Sequence, residues 1–279
     1  MSKNNITIYI IDAFTDKPFT GNPAGVCILE NFLSPETMQK IAREMNLSET
    51  AFVTREKTNS TFNIRWFTPL NEVPLCGHAT LASAYVIFSK NLITDQFIHF
   101  NTKNESITVF KDAEYLVVDF PQGDPQPIDI PLETLNILSI PKDQVLDARI
   151  CKKLNKLLIN VESAEFIRTY KPNFAFMLTI TNPKEISGLI ITAKSDNEQF
   201  DIQSRYFNPW FGVNEDPVTG TAHTILTPFW SEKLKKNKLM AYQASNRGGT
   251  IKIQYKKETG RVLLAGKAVK MMEGCLNMN

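Results

Sequence analysis

Glycine is scarce in this chain, and the few glycines are concentrated in short motifs. Only 12 of the 279 residues are glycine, which is about 4% where about 7% is usual. Seven of them occupy Gly21, Gly25, Gly77, Gly212, Gly220, Gly248 and Gly249. Because glycine permits tight turns and close approach of the backbone to a ligand, these motifs are the first places to look for a functional site.

The chain also lacks a charge excess, paired cysteines and a long apolar run. Its 31 basic and 29 acidic residues leave no basic footprint of the kind that binds nucleic acid. Its four cysteines show no C-x-x-C spacing, which argues against a zinc knuckle or a disulfide scaffold and predicts a reducing, cytoplasmic location. No apolar run approaches the roughly 18 residues that span a bilayer, so we expect neither a membrane nor a nucleic acid as partner.

What is present is a series of short strand-like segments with few helices. Strands are predicted over residues 7–13, 51–54, 62–67, 107–111, 115–120, 174–180, 204–207, 251–255 and 261–269. Ser34 followed by Pro35 predicts the start of one helix, and two more are predicted over 78–88 and 220–234. The length predicts two domains, and the proline-rich stretch 121–131 predicts the connection between them.

An internal repeat supports this division. Residues 65–69 read Arg-Trp-Phe-Thr-Pro, and residues 205–209, placed 140 positions later, read Arg-Tyr-Phe-Asn-Pro. The same offset aligns Cys76 with Asp216, and a predicted helix follows both. Two similar strand ends would also give such a match. A duplication instead predicts two similar halves, residues 1–118 and 119–279, with the C-terminal strand as a candidate to return to the first half.

A duplicated chain of this kind has a functional consequence. Each half would run from a strand through a loop into a helix, and a pseudo-twofold axis would bring the two loop-to-helix junctions together in a cleft. Helix N-termini present free N–H groups and the positive end of the helix dipole, so such a cleft would hold an anion. The predicted ligand is a small carboxylic acid.

Seven short motifs follow one another along nearly the whole chain: residues 12–15 (DAFT), 18–24 (PFTGNPA), 48–53 (SETAFV), 67–69 (FTP), 77–80 (GHAT), 215–222 (EDPVTGTA) and 243–249 (QASNRGG). In this order they resemble the PhzF-like family of phenazine-biosynthesis isomerases. The resemblance implies an α+β, diaminopimelate-epimerase-like fold, in which each half is a mostly antiparallel sheet around a central helix. It also implies a homodimer that moves a proton on a small carboxylic acid, as a double-bond or 1,3-hydrogen shift, without a cofactor.

The same resemblance implies roles for individual residues. Glu49 and Asp216 would be the acid/base groups, and His78 would orient the substrate and stabilise charge. Substrate contacts would come from Asn22, Cys76, Gly77, Gly220 and Thr221. Thr221 stands where the family often carries serine, which adds a methyl group to the pocket.

Local chemistry leaves simpler interpretations open for each acid/base residue. A glutamate at position 49 is also what a solvated helix end carries, because glutamate is rarely buried. Asp216, followed by proline, is also typical of a turn or a helix cap. His78 at a helix start is also typical of a structural histidine.

Two other functions remain alternatives. Cys76-Gly77-His78 resembles the first thiol motif of cofactor-independent racemases, so an amino-acid or hydroxy-acid racemase using Cys76 is one of them. Residues 205–225 contain no cysteine, which disfavours a symmetric two-thiol enzyme. A non-catalytic small-acid binding protein is the other. His223 is interpreted as a helix-surface residue, and no metal site is predicted, because the histidine and acid spacings match no ligand pattern.

Overall fold

The computed structural model describes residues 5–56, 60–103, 106–180 and 186–278, and these form two compact units. Unit 1 comprises the described residues up to Phe120 and those from Leu263 onward, whereas unit 2 comprises those from Pro121 to Val262. The sequence-based boundary between 118 and 119 lies two residues before this division. The chain from Leu263 onward belongs to unit 1, so the second half is shorter than the predicted 119–279.

The elements of unit 1 begin with strands and helices β1 (Asn5–Ala13), β2 (Asn22–Leu29), α1 (Pro35–Met45), β3 (Glu49–Arg55), β4 (Thr61–Phe67), β5 (Glu72–Val73), α2 (Gly77–Ser89), β6 (Phe97–Asn101), β7 (Ser106–Asp112) and β8 (Tyr115–Pro121). Unit 2 contains β9 (Gln126–Pro127), α3 (Leu132–Ile137), β10 (Val145–Cys151), β11 (Lys156–Val161), α4 (Ala164–Thr169), α5 (Phe174–Met177), β12 (Gly188–Lys194), β13 (Ile202–Asn208), β14 (Val213–Asp216), α6 (Gly220–Leu234), β15 (Lys238–Gln243) and β16 (Gly249–Lys256). The division falls within β17 (Arg261–Gly266), and β18 (Ala268–Asn277) ends in unit 1.

In unit 1 the strands pair in the order β18–β1–β2–β3–β4–β6–β7–β8, and β5 also pairs with β4. Only β2–β3 and β4–β6 are parallel among these pairs of described strands. Helix α2 packs against β1, β2, β3 and β18. Its buried residues lie on all sides of the helix, which identifies it as the core helix of this unit.

Unit 2 repeats this pairing. The order is β9–β10–β11–β12–β13–β15–β16, with β14 on β13, and the parallel pairs are β11–β12 and β13–β15. Strands β10 to β16 therefore match β1 to β7 in sequence order, pairing and direction. The predicted repeat of strands around a core helix is present in both units.

One detail of the predicted repeat is wrong. Phe67 and Phe207 match at an offset of 140, but the helices α2 and α6 begin at Gly77 and Gly220, an offset of 143. The 3₁₀ turn Pro209–Phe211 lies in the longer connection of unit 2. Cys76 is the N-cap of α2 and Thr219 is the N-cap of α6, so the counterpart of Cys76 is Thr219 and not Asp216.

The helix predictions are confirmed because their local signals act independently of the rest of the fold. The Ser34 side chain accepts a hydrogen bond from the backbone N–H of Thr37 at 3.2 Å, and Pro35 occupies the first turn of α1. The predicted strand over 174–180 is wrong. Asn173 caps a short helix there by accepting from Phe176 N–H, and Met177 is buried in the core of unit 2.

No helix in the described parts of the chain combines the length and the apolar character that a bilayer span requires.

Candidate active site

The candidate site of unit 1 begins with Glu49, the first residue of β3. Phe52 of the same strand packs against Met38 and Ile41 of α1. Because side chains alternate along a strand, Glu49 points to the opposite face, toward α2. Its side chain is 17% exposed, so the alternative interpretation of a solvated carboxylate at a helix end does not hold: Glu49 is a largely buried carboxylate at the start of a strand.

His78 is the second residue of α2 and lies opposite Glu49. Its Nε2 atom is 3.2 Å from Glu49 Oε2, and its ring is 3% exposed. The two atoms are in contact at this distance, but they are not aligned as a hydrogen bond.

The other ring nitrogen of His78 contacts two further residues. Nδ1 lies 3.0 Å from the side-chain nitrogen of Asn22, at the start of β2, and 3.6 Å from Sγ of Cys76. Asn22 is fully buried and Cys76 is 5% exposed. The structure therefore brings together four of the predicted residues, namely Glu49, His78, Cys76 and Asn22.

Burial sets the charge of the His78 ring. It lowers the pKa of His78 from its ordinary value of 6.5 to about 3, because the buried ring loses the hydration that stabilises an imidazolium ion. The ring is therefore neutral at pH 7. The Glu49 contact is a contact between a carboxyl group and a neutral imidazole.

The donor atoms of this cluster lie close together but do not converge on one metal position. One potential ligand atom from each of Glu49, Cys76 and His78 lies within 4.8 Å of the others. However, Nε2 of His78 faces Glu49, while Nδ1 faces Cys76. A ring nitrogen binds a metal along its own lone pair, so one imidazole does not direct a single ion toward both neighbours at once. The donor set fits side-chain proton chemistry better than metal coordination.

The predicted residues of unit 2 form a second polar group. Asp216 ends β14, and its Oδ2 accepts a hydrogen bond from the Thr219 hydroxyl at 2.5 Å. Thr219 N–H in turn donates to the side chain of Gln243 at 2.9 Å, and Gln243 donates to the Asp216 carbonyl at 2.7 Å. Ser245 donates to the Pro217 carbonyl at 2.9 Å. These bonds hold the loop that carries Asp216 against the start of α6.

The predicted anion-binding backbone groups lie where expected along the chain. Gly77 is the first residue of α2, and Gly220 and Thr221 are the first two residues of α6. First-turn N–H groups have no partner within their own helix, so these positions can donate to an oxyanion. The interpretation of His223 as a helix-surface residue is wrong, because His223 is completely buried.

Sequence reasoning assigned no role to four polar positions. Gln243 and Ser245 lie within the quoted motif over 243–249, and that motif was the available signal for them. Lys156 of β11 donates to the hydroxyl of Tyr206, and although Tyr206 lies in the repeated segment 205–209, no motif marked Lys156. The ring of Tyr206 crosses Gly188, where a side chain would collide with it.

Comparison with known proteins agrees with the geometry. Residues 11–274 match the family model PhzC-PhzF, described as "Phenazine biosynthesis-like protein". The chain is 43% identical to the phenazine biosynthesis-like domain-containing protein of Bos taurus, covering 97% of this chain and 99% of that one. It is also 43% identical to a protein of Halalkalibacterium halodurans named an uncharacterized isomerase, covering 95% and 96%.

Solved structures confirm the predicted fold. A crystal structure of a phenazine biosynthesis protein of the PhzF family from Enterococcus faecalis superposes with a TM-score of 0.88 at 36% identity, covering 98% of this chain and 99% of that chain. The diaminopimelate-epimerase-like α+β class predicted from the motifs is therefore correct.

Proposed function

Because this chain belongs to the PhzC-PhzF, phenazine biosynthesis-like family, we propose that it is a cofactor-independent isomerase that moves a proton between carbons of a small carboxylic acid. The observation that carries the proposal is the contact between Glu49 Oε2 and the buried, neutral ring of His78. The names of the relatives support an isomerase in general. The proton shift and the substrate class are the finer part of the proposal.

The reaction follows from the chemistry of these groups. Glu49, as a carboxylate, takes a proton from a carbon next to the conjugated system of the acid, and the electron pair moves into that system. Backbone N–H groups at the start of α2 stabilise the negative charge that develops on the substrate oxygen. Return of one proton to a different carbon completes the shift, so the product is an isomer and no oxidant is consumed. Asp216 is the second acid/base group in this proposal.

Deuterium exchange tests the proposal without knowledge of the natural substrate. A panel of small unsaturated and hydroxylated carboxylic acids is incubated with the protein in D2O, and incorporation is followed by NMR and mass spectrometry. We expect allylic deuteration of at least one acid. Glu49→Gln should slow it by roughly 10² to 10⁴, because the amide keeps the shape and cannot take a proton.

The matched control is Glu44→Gln, which changes an exposed glutamate of α1 and should leave the exchange rate unchanged. Near-normal exchange in a folded Glu49→Gln protein would remove Glu49 from the mechanism. Binding of an acid without any exchange would identify a binding protein instead of an enzyme.

One observation favours a second candidate, a racemase or epimerase that uses Cys76. The Cys76 thiol lies 3.6 Å from Nδ1 of His78, within reach of a base. The corresponding N-cap of α6 is Thr219, which cannot supply a second thiol. Exchange at a stereocentre, with loss of activity on alkylation of Cys76, would support this candidate.

A further inference from the structure

His78 has contacts at both ring nitrogens, and together they determine where its proton lies. A neutral imidazole carries one N–H donor and one acceptor nitrogen. Nδ1 faces the side-chain nitrogen of Asn22 at 3.0 Å, and Nε2 faces Glu49 Oε2 at 3.2 Å. The two neighbours therefore place separate requirements on the same ring.

Both requirements point to the same tautomer. The amide nitrogen of Asn22 only donates, so Nδ1 must accept and carries no proton. An ionised Glu49 carboxylate only accepts, so its position next to Nε2 favours the tautomer with the proton on that nitrogen. Burial keeps the ring neutral at pH 7, with a pKa of about 3.

We propose that Asn22 is a positioning residue that fixes His78 as the Nε2–H tautomer, so that the neutral ring presents an N–H to the Glu49 carboxylate. His78 then orients Glu49 and does not itself remove the substrate proton. The tautomer assignment stands on the contacts alone, whereas its catalytic meaning rests on the proposed function. Asn22, predicted as a substrate contact, acts through His78 in this proposal.

The chain contains an internal reference for this assignment. Nδ1 of His223 lies 2.8 Å from the backbone carbonyl oxygen of Thr219, which only accepts, so this ring must carry its proton on Nδ1. Burial lowers the pKa of His223 to about 4, although the hydrogen bond to Thr219 opposes this shift. The two buried histidines are therefore expected to be opposite tautomers at pH 7.

The test is a long-range 1H–15N correlation spectrum of protein labelled with 15N-histidine, recorded at pH 7 without any ligand. The chain has three histidines, so single His→Gln variants at 78, 99 and 223 assign the signals. We expect an unprotonated nitrogen at Nδ1 of His78 and at Nε2 of His223. A protonated Nδ1 on His78, or a doubly protonated ring, would overturn the proposal.

Two variants separate the contributions of the neighbours. Asn22→Asp replaces the donor at Nδ1 with an acceptor, so we expect the His78 Nδ1 signal to move to a protonated position. Cys76→Ala removes the other Nδ1 neighbour and should leave the tautomer unchanged. An unchanged His78 signal in folded Asn22→Asp would reject the role of Asn22. If that variant fails to fold, the wild-type spectrum still tests the tautomer assignment, because His78 and His223 must then carry their protons on different ring nitrogens.

These outcomes are independent of turnover. The Nε2–H tautomer with no deuterium exchange on any acid would support the inference and count against the proposed isomerase. Deuterium exchange in a protein whose His78 carries its proton on Nδ1 would support the proposed isomerase and reject the tautomer assignment.

Discussion

At the scale of single residues, the environment of a side chain decides which of several possible roles it takes. Cys76, Asn22 and Glu49 come from three separate motifs, and all three lie against or close to one buried imidazole. Asp216 has a different setting, since a threonine hydroxyl donates to its carboxylate. Glu49 and Asp216 therefore have different surroundings: a buried imidazole lies next to Glu49, and a threonine hydroxyl donates to Asp216.

Variants at Cys76 and Asp216 distinguish the isomerase from the racemase, because the two mechanisms predict different exchange rates for them. If carboxyl groups carry the proton, Cys76→Ala should lower exchange by less than about tenfold, while Asp216→Asn should lower it by roughly 10² or more. The reason is that alanine removes a contact to His78 Nδ1, whereas asparagine removes an acid/base group. Rates of deuterium incorporation for the two variants are the measurement.

The opposite ranking would favour the thiol mechanism. Abolished exchange in a well-folded Cys76→Ala protein, together with wild-type rates in Asp216→Asn, would make the racemase the better account. Protection of Cys76 from alkylation by a bound acid would then be the supporting observation.

At the scale of elements, strand register explains why one residue of β12 is glycine. Tyr206 on β13 reaches across Gly188 to receive the hydrogen bond from Lys156 on β11. A methyl group at position 188 would overlap the tyrosine hydroxyl and lie 2.7 Å from the ring carbon Cε2. The ring, and not a turn conformation, therefore requires glycine here.

Gly188→Ala should accordingly lower the free energy of unfolding by about 1–3 kcal/mol, because Tyr206 must move to make room. Urea unfolding followed by circular dichroism measures the change. Gly274→Ala on β18 is the matched control, since its methyl group would meet only Met272 Cε at 3.5 Å. We expect the control to stay within about 0.5 kcal/mol of the wild type. Equal urea midpoints for the two variants would contradict this prediction, because they would show that Tyr206 moves aside without any loss of stability.

At the scale of the whole molecule, the two units share a pairing scheme but carry their acidic groups at different positions. Through strand register, Glu49 of unit 1 corresponds to Gly188 of unit 2. By the same register, Asp216 corresponds to Val73. Both units contain the same arginine–glutamate ion pair. Arg65 binds Glu72, and Arg205 binds Glu215, each through two hydrogen bonds of 2.7–2.9 Å. The two units thus share an arginine–glutamate ion pair, whereas the candidate catalytic acids occupy different positions in the pairing scheme.

Two buried histidines make stability depend on pH. The pKa values of His78 and His223 are lowered from 6.5 to about 3 and about 4 in the fold, whereas the unfolded chain binds protons below about pH 6.5. The unfolded state therefore holds more protons in the acidic range, and stability falls as the pH falls below 6.5. Each histidine should lower the free energy of unfolding by about 2 kcal/mol as the pH falls from 7.5 to 5.

Urea midpoints at pH 7.5 and pH 5 measure this loss. His223→Gln should lose less stability over this range than the wild type, because one proton-binding difference is removed. His99→Gln, which changes an exposed residue of β6, should lose as much as the wild type. The same acid-induced loss in His223→Gln as in the wild type would contradict the assignment of His223 as a neutral, buried ring.

The sequence by itself determined the local and repeated features of this protein. Ser34 and Pro35 specify the start of α1 because a cap and a proline act within one turn of the chain. The alternation over 251–255 specifies β16 because the period of a strand is visible in single residues. The seven motifs predicted the fold, and the resemblance that they carry predicted site residues, of which the structure brings Glu49, His78, Cys76 and Asn22 together.

Only the tertiary structure decided how those residues meet. Strands such as β2, β11 and β12 were not predicted from alternation, because buried strands with apolar residues on both faces lose the period of two. The three-residue shift that pairs Cys76 with Thr219 depends on where each helix begins, and no local signal fixed that point. Which nitrogen of His78 faces Glu49, and which faces Asn22, depends on side chains from three elements that are distant in sequence. Burial by those elements, and not the identity of the residue, makes His78 neutral.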